Sequence, residues 1–187
     1  MKLAALFSGG KDSTYAIFLA KKLGHSVDVL LTLYPYSDES HLLHYPNIRF
    51  TSLQSESMKI PQLIEKTTSN NSENEYEKLN NLITLAKENY SIEGIVHGGI
   101  LSEYQKNSFS LLCEKNQLEI ISPLWNKEPK SYMKELLDEN FEYIISTVSS
   151  DGLNDSWLGR TINENDLNEL EKLCTQNFHL VIPSCMI

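Results

Sequence analysis

The sequence predicts an α/β fold, a three-layer sandwich with a mostly parallel sheet between two layers of helices. Three observations predict it. Short apolar runs of strand length alternate with segments whose apolar residues fall at helical spacing. The runs near Val27 and Ile95 are mostly apolar rather than alternating, as in strands covered on both faces. The first run ends in Ser8-Gly9-Gly10, directly before a long apolar stretch, so a glycine turn joins a strand to a helix.

Taken in order, Lys2–Phe7 reads as the first strand. Ser13–Leu23 reads as a nearly all-apolar, buried helix stopped by Gly24. Val27–Leu33 is the second strand, and Tyr34–Pro46 is a loop rich in Tyr, Ser, His and Pro. Leu53–Met58 is a short helix ended by Ile60-Pro61, and Gln62–Lys66 is a strand. Thr67–Glu77 is polar throughout and reads as a loop or lid. Leu79, Leu82, Ile83 and Ala86 mark a helix over Glu75–Tyr90. Gly94–His97 is a buried strand running into Gly98-Gly99, followed by a helix over Glu103–Lys115. Glu119–Ser122 is a strand, Lys130–Glu139 a helix and Tyr143–Val148 a strand. Leu167, Leu170, Leu173 and Cys174 define the last helix, and Leu180–Ile182 a final strand. With no repeat or linker in sight, 187 residues read as one domain over 1–187. In such a sheet the loops Ser8–Ser13, Tyr34–Pro46, Thr67–Glu77, His97–Ser102 and Ser149–Arg160 all leave strand C-terminal ends, where ligands bind.

Composition narrows the function. No apolar run approaches the roughly 18 to 20 residues of a membrane span, and Met1-Lys2-Leu3 lacks the pattern of a signal peptide. Cys113, Cys174 and Cys185 are scattered without a Cys-x-x-Cys pair, which suits a reducing cytoplasmic setting and argues against structural zinc. The formal net charge of −9, with Lys and Arg dispersed, argues against nucleic acid as a partner.

Ser8-Gly9-Gly10-Lys11-Asp12-Ser13 carries the chemistry. A glycine turn opening a helix aims backbone N–H groups and the positive end of the helix dipole at one place, which suits a phosphate. Lys11 adds positive charge there. Asp12 adds a carboxylate, which tolerates phosphate when Mg²⁺ lies between them. The spacing matches neither the standard P-loop nor the dinucleotide-binding glycine fingerprint.

The segment instead resembles the PP-loop of the ATP pyrophosphatases, which split ATP between its α and β phosphates. Further stretches resemble one branch of them, the diphthine–ammonia ligase family. These are Leu53-Gln54-Ser55-Glu56-Ser57 followed by Ile60-Pro61, Gly98-Gly99-Ile100-Leu101-Ser102-Glu103-Tyr104-Gln105, and Pro123-Leu124-Trp125. Gly152-Leu153 and Ser156-Trp157-Leu158-Gly159-Arg160 complete the set, and the resemblance runs from Met1 to about Leu173.

The resemblance implies a Rossmann-like sheet of the PP-loop type and a cytoplasmic ligase. That ligase adenylylates the carboxylate of diphthine, a modified histidine of translation elongation factor 2. Ammonia then displaces AMP from the acyl-adenylate to leave the diphthamide amide. The implied cofactors are ATP and Mg²⁺. Ser8, Gly9, Gly10 and Ser13 would cradle the β and γ phosphates, Lys11 would neutralise their charge, and Asp12 would hold the metal. Leu30 to Thr32 would take adenine by backbone hydrogen bonds. Gly98 and Gly99 would leave room for ribose or the activated carboxylate. Arg160 would complete the catalytic set. His44, Gln54, Glu56, Ser102, Tyr104, Gln105, Trp157 and Gly159 would line the substrate site.

This sequence departs from the family's pattern at two places. Lys106-Asn107-Ser108 stands where the family is usually basic, and where the family usually continues past the last strand into an acidic Glu-Gly-Gly-Glu signature this sequence stops at Pro183-Ser184-Cys185-Met186-Ile187. Two alternatives stay open: an ATP-binding module without ligase activity, and another PP-loop enzyme such as a tRNA-modifying adenylyltransferase. Nothing in the sequence sets oligomeric state, and a homo-oligomer is allowed.

Overall fold

Lys2–Leu6 forms β1, and the chain turns through two glycines into α1 (Lys11–Lys22) and then β2 (Ser26–Tyr34). A single 3₁₀ turn at Ile48–Phe50 leads into α2 (Thr51–Met58) and β3 (Gln62–Lys66). α3 (Ser72–Tyr90), β4 (Gly94–Val96), α4 (Glu103–Asn116) and β5 (Glu119–Ile121) follow. α5 (Pro129–Asp138), a second 3₁₀ turn at Asp155–Trp157 and α6 (Glu164–Gln176) complete the described chain. This computed structural model describes residues 1–37, 48–148 and 153–176, the last three of these by backbone only. Among them no helix is long and apolar enough to cross a membrane.

The five strands form one sheet in the order β3-β2-β1-β4-β5, and every pairing is parallel. The chain winds outward from β1 through β2 to β3, then returns to the other side of β1 for β4 and β5. That reversal lies between β1 and β4. Loops leaving the C-terminal ends of these neighbours diverge and open a crevice, the usual place for a ligand in such sheets.

Both faces of the sheet are covered, which explains the unbroken apolar runs. Ala4 and Leu6 of β1, Val29, Leu31 and Leu33 of β2, and Ile95 of β4 point to one side. There they pack with Leu79, Leu82, Ile83 and Ala86 of α3 and Phe109, Leu112 and Cys113 of α4. Burial pushes the Cys113 thiol up to about 12, as expected of an inert core residue. α1 packs against β1, β2 and β4, burying Tyr15, Ala16 and Ala20.

Two expectations are corrected. The polar stretch Thr67–Glu77 is a loop only as far as Asn71. Asn71 accepts a hydrogen bond from the Glu73 N–H at 2.9 Å, and α3 starts at Ser72 with Glu73 and Glu75 in its first turn. A side-chain cap and acidic residues at the positive end of the dipole turn a polar sequence into a helix start. Tyr143–Val148 forms no sheet strand. Ile144 bridges Thr161 and Ile145 bridges Leu158 singly, and Gly159 N–H and Ile162 N–H donate to Ile145 and Tyr143 carbonyls at 2.9 and 3.0 Å. The segment pairs with residues 158–162 through isolated bridges rather than a ladder. Leu180–Ile182 lies outside the described residues.

The chain gathers into two compact units, Met1–Trp125 and Asn126–Ile187, with no composition shift at the boundary. The first holds the sheet with α1 to α4. The second packs α5 on α6, with Pro129 at the start of α5 and Glu128 capping the Lys130 and Ser131 N–H groups at 3.0 and 2.8 Å.

Asn71→Ala should destabilise the protein by about 1 kcal/mol, the usual worth of an N-cap. Urea denaturation checks this, and a midpoint equal to that of the unmodified chain would mean that Asn71 does not hold the start of α3.

Candidate active site

Phe7 keeps the sheet going one residue past β1, its N–H donating to Leu31 O at 2.9 Å. Gly9 then takes φ +79, a left-handed conformation that other residues resist. Gly10 is the N-cap of α1 in extended backbone, with no side-chain cap, whereas Asn71, Ser102 and Glu128 cap α3, α4 and α5. Ser13 Oγ and Thr14 Oγ1 both donate to Gly10 O, at 2.9 and 3.0 Å, and Ser8 Oγ lies 3.4 Å from Ser13 Oγ. These bonds hold the loop from within. Lys11 is buried and Asp12 half-buried, with Lys11 Nζ 2.9 Å from Asp12 Oδ1.

The loop after β4 comes against this turn. A Cβ on Gly98 would lie 2.5 Å from the Asp12 carbonyl carbon, 2.6 Å from its oxygen and 2.7 Å from Ser13 N. The first turn of α1 fills the space that the missing side chain of Gly98 leaves. Gly99 sits against His97, where a Cβ would be 2.9 Å from Nδ1. Ser102 is the N-cap of α4, accepting from the Gln105 N–H at 3.3 Å. Tyr104 is exposed, and Gln105 Oε1 would be 3.6 Å from a Cβ on Gly99.

α2 supports the loop from the other side. Gln54 Nε2 donates to Gly9 O at 2.9 Å, and its Oε1 is buried without a partner. A Cβ on Gly9 would lie 2.5 Å from that Oε1 and 3.0 Å from Thr51 Cγ2. Gln54, expected at the substrate, thus braces the glycine turn, while Glu56 on the same helix is exposed.

Leu30 and Thr32 lie inside the sheet. Both are fully buried in β2, which continues to Tyr34 and pairs with β1 and β3. Thr32 Oγ1 donates to Phe7 O at 2.8 Å and accepts from Gln62 Nε2 at 2.7 Å, tying three strands together. The sheet ladder engages this stretch, and the strand ends later than its apolar run suggested.

Arg160, Trp157 and Gly159 belong to the second unit. Trp157 is buried, and the Arg160 guanidinium lies over its ring at 4.7 Å. The same guanidinium is paired with the fully buried Asp166. Asp166 also accepts from the Asn163 N–H at 3.0 Å, while Asn163 Oδ1 accepts from Asn165 and Asp166 N–H at 2.9 and 3.2 Å. That reciprocal cap opens α6. Arg160 is thus held by a carboxylate and an aromatic face, and Gly159 turns the chain at φ +72. His44 lies outside the described residues.

Sequence reading missed His97. Its Nε2 is 2.7 Å from Ser122 Oγ, and its Nδ1 accepts from the Gly99 N–H at 3.0 Å. No local motif signals it, because Ser122 arrives from the next strand. Burial, with the Lys106 charge nearby, lowers the His97 pKa to about 4.

Two outcomes follow from this geometry. Gly98→Ala should destabilise the fold by roughly 1–3 kcal/mol, because the obstruction is backbone that must shift; thermal or urea melts read it, and an unchanged midpoint would refute the close approach. The depressed His97 pKa makes its contribution complete above pH 6.5 and progressively lost as the unfolded chain takes up the proton on going down to about pH 4. Stability should fall by about 3 kcal/mol from this group across that window. His97→Asn should flatten that part of the stability profile, and an identical slope in both proteins would contradict the assignment.

A family model described as the diphthamide synthase N-terminal domain matches residues 1–120, and one described as the C-terminal domain matches residues 128–180. The gap between them falls at the boundary of the two compact units. The diphthine–ammonia ligase of Rattus norvegicus is 33% identical over 193 residues, covering 92% of this chain and 72% of the relative. Its counterpart from Homo sapiens is 32% identical over 193 residues with the same coverage. A solved structure described as a predicted subunit of tRNA methyltransferase from Methanocaldococcus jannaschii superposes with TM-score 0.45 at 16% identity, over 100% of this chain and 95% of that one. Matched by both family models and by relatives along most of its length, the chain belongs to the diphthine–ammonia ligase (diphthamide synthase) family.

Proposed function

We propose that this chain is an ATP-dependent, AMP-forming ligase that converts the diphthine carboxylate of translation elongation factor 2 to diphthamide with ammonia, working in the cytoplasm. The observation that carries the reading is the start of α1: a helix N-terminus without a side-chain cap, behind a left-handed Gly9, with Lys11 and Asp12 in its first turn. The family's named members supply the substrate class.

The reaction requires a carboxylate to become an electrophile. A carboxylate oxygen of diphthine attacks the α phosphorus of ATP, the bond to the bridging oxygen breaks, and pyrophosphate leaves. The ammonia nitrogen then bonds to the activated carbonyl carbon, AMP leaves with the former carboxylate oxygen, and the nitrogen sheds a proton. Catalysis here is chiefly positioning and charge neutralisation.

The residues present fit a Mg²⁺–triphosphate. The first-turn N–H groups of α1 and the backbone of Ser8 to Gly10 would receive the β and γ phosphates, with Ser13 keeping Gly10 in place. Lys11 would neutralise the charge released as pyrophosphate departs. Among the described residues no three His, Cys, Asp or Glu side chains gather as a metal site. Asp12 would therefore share Mg²⁺ with phosphate oxygens and water, and the metal would supply further charge neutralisation. Tyr104 and Gln105, at the start of α4, would face the acceptor.

Incubation with ATP, Mg²⁺, ammonium and diphthine-bearing elongation factor 2, followed by separation of AMP from ADP, tests the reading. AMP and pyrophosphate should appear only when both the protein substrate and ammonium are present. ATP binding without AMP would instead favour a binding module. Lys11→Ala and Asp12→Ala should each lower AMP formation by about 100-fold or more with the circular dichroism spectrum retained. Full activity in either variant would remove that residue from the mechanism.

A further inference from the structure

His97 stands at the end of β4, and nothing in the reading of the site so far gives it a task. Its N–H donates to Ile121 O at 3.1 Å, tying its backbone to β5. Its ring is buried and meets Phe109 edge-on at 5.1 Å between centroids. A peptide N–H can only donate, so the bond from Gly99 requires Nδ1 to be without a proton. The ring hydrogen is then on Nε2, where Ser122 Oγ accepts it. The ring thus closes a three-residue turn, His97-Gly98-Gly99, with its own side chain. The middle residue of that turn is the glycine whose Cα rests on the backbone of Asp12 and Ser13.

We propose that His97 is a positioning residue for the nucleotide site: as the Nε2–H tautomer, bridging Ser122 and the Gly99 amide, it seats Gly98 against the first turn of α1 and so sets where that turn meets the phosphates. The role rests on the reading of α1 as the ATP site. It is distinct from contact with substrate, since His97 reaches the nucleotide only through Gly98 and α1.

Two substitutions separate the ring's two bonds. In His97→Asn the amide oxygen falls where Nδ1 was and can still accept from Gly99. In His97→Gln the amide falls where Nε2 was, so Ser122 keeps a partner and Gly99 loses its own. Long-range ¹⁵N–¹H spectra of the full chain at neutral pH should show the proton on Nε2, and a proton on Nδ1 would overturn the proposal. Amide exchange at Gly99 and at Lys11 to Ser13 should quicken about tenfold in His97→Gln, the size of one buried hydrogen bond, and change less than about threefold in His97→Asn. Calorimetry with ATP and Mg²⁺ should follow the same order, with Kd about tenfold weaker in the Gln variant alone. Equal behaviour of the two variants, or unchanged exchange in both while the parent chain binds ATP, would overturn the positioning role alone. Quickened exchange with unaltered ATP affinity would overturn the reading of α1 as the ATP site, and the positioning role with it.

Discussion

The approach of Gly98 to the backbone of Asp12 and Ser13 is the constraint on which the candidate site depends. β1 and β4 are neighbours in the sheet, and their chains leave it side by side before diverging. Adjacent parallel strands lie only about 4.8 Å apart, so one emerging chain must lack a side chain where the two still touch. Gly98 meets that requirement on β4's side. On β1's side, Gly9 makes the turn that starts α1 directly. The helix N-terminus is therefore set by packing at the point where the sheet reverses, where ligands of such sheets bind.

Around that contact the supports are polar and come from separate elements. Gln54 of α2 donates to Gly9, Thr32 of β2 donates to Phe7, and His97, just past β4, receives Gly99. Gln54 and Thr32 reach the turn from elements distant in sequence, while His97 closes its own loop. Lys11 and Asp12 add the charges. A buried ammonium needs an opposite charge, and Asp12 provides it at 2.9 Å. In the proposed reaction a triphosphate competes with Asp12 for Lys11, which leaves the carboxylate for a cation. In that proposal the adjacent Lys-Asp pair, an ion pair here, would become a split site for phosphate and metal.

The second unit shows the same economy in a different form. Trp157 offers a buried ring, Arg160 lies across it, and Asp166 holds the guanidinium while also capping α6. Stacking and pairing restrict an otherwise flexible side chain. The residues that resemble the family's signature here form one mutually supported cluster, whose common purpose within the unit is to hold the turn at Gly159 and the start of α6.

What the sequence alone determined was whatever local chemistry dictates. Apolar runs covered on both faces declared the parallel strands, the spacing of Leu79 to Ala86 declared α3, and Ser8 to Ser13 declared the glycine turn that opens α1. Those features depend on residues within a few positions of one another. What only the tertiary structure decided were pairings across many residues. Asn71 shows how near the limit lies, since its cap was readable in principle but was lost in a polar stretch. Gln54, Thr32 and Gly98 show the rest: their partners are 45, 25 and more than 80 residues away. Arg160 looked like an available cation until Asp166, fully buried, was seen to hold it. A residue type announces what bonds it can make; the sheet order, set by global packing, chooses which of those bonds are made.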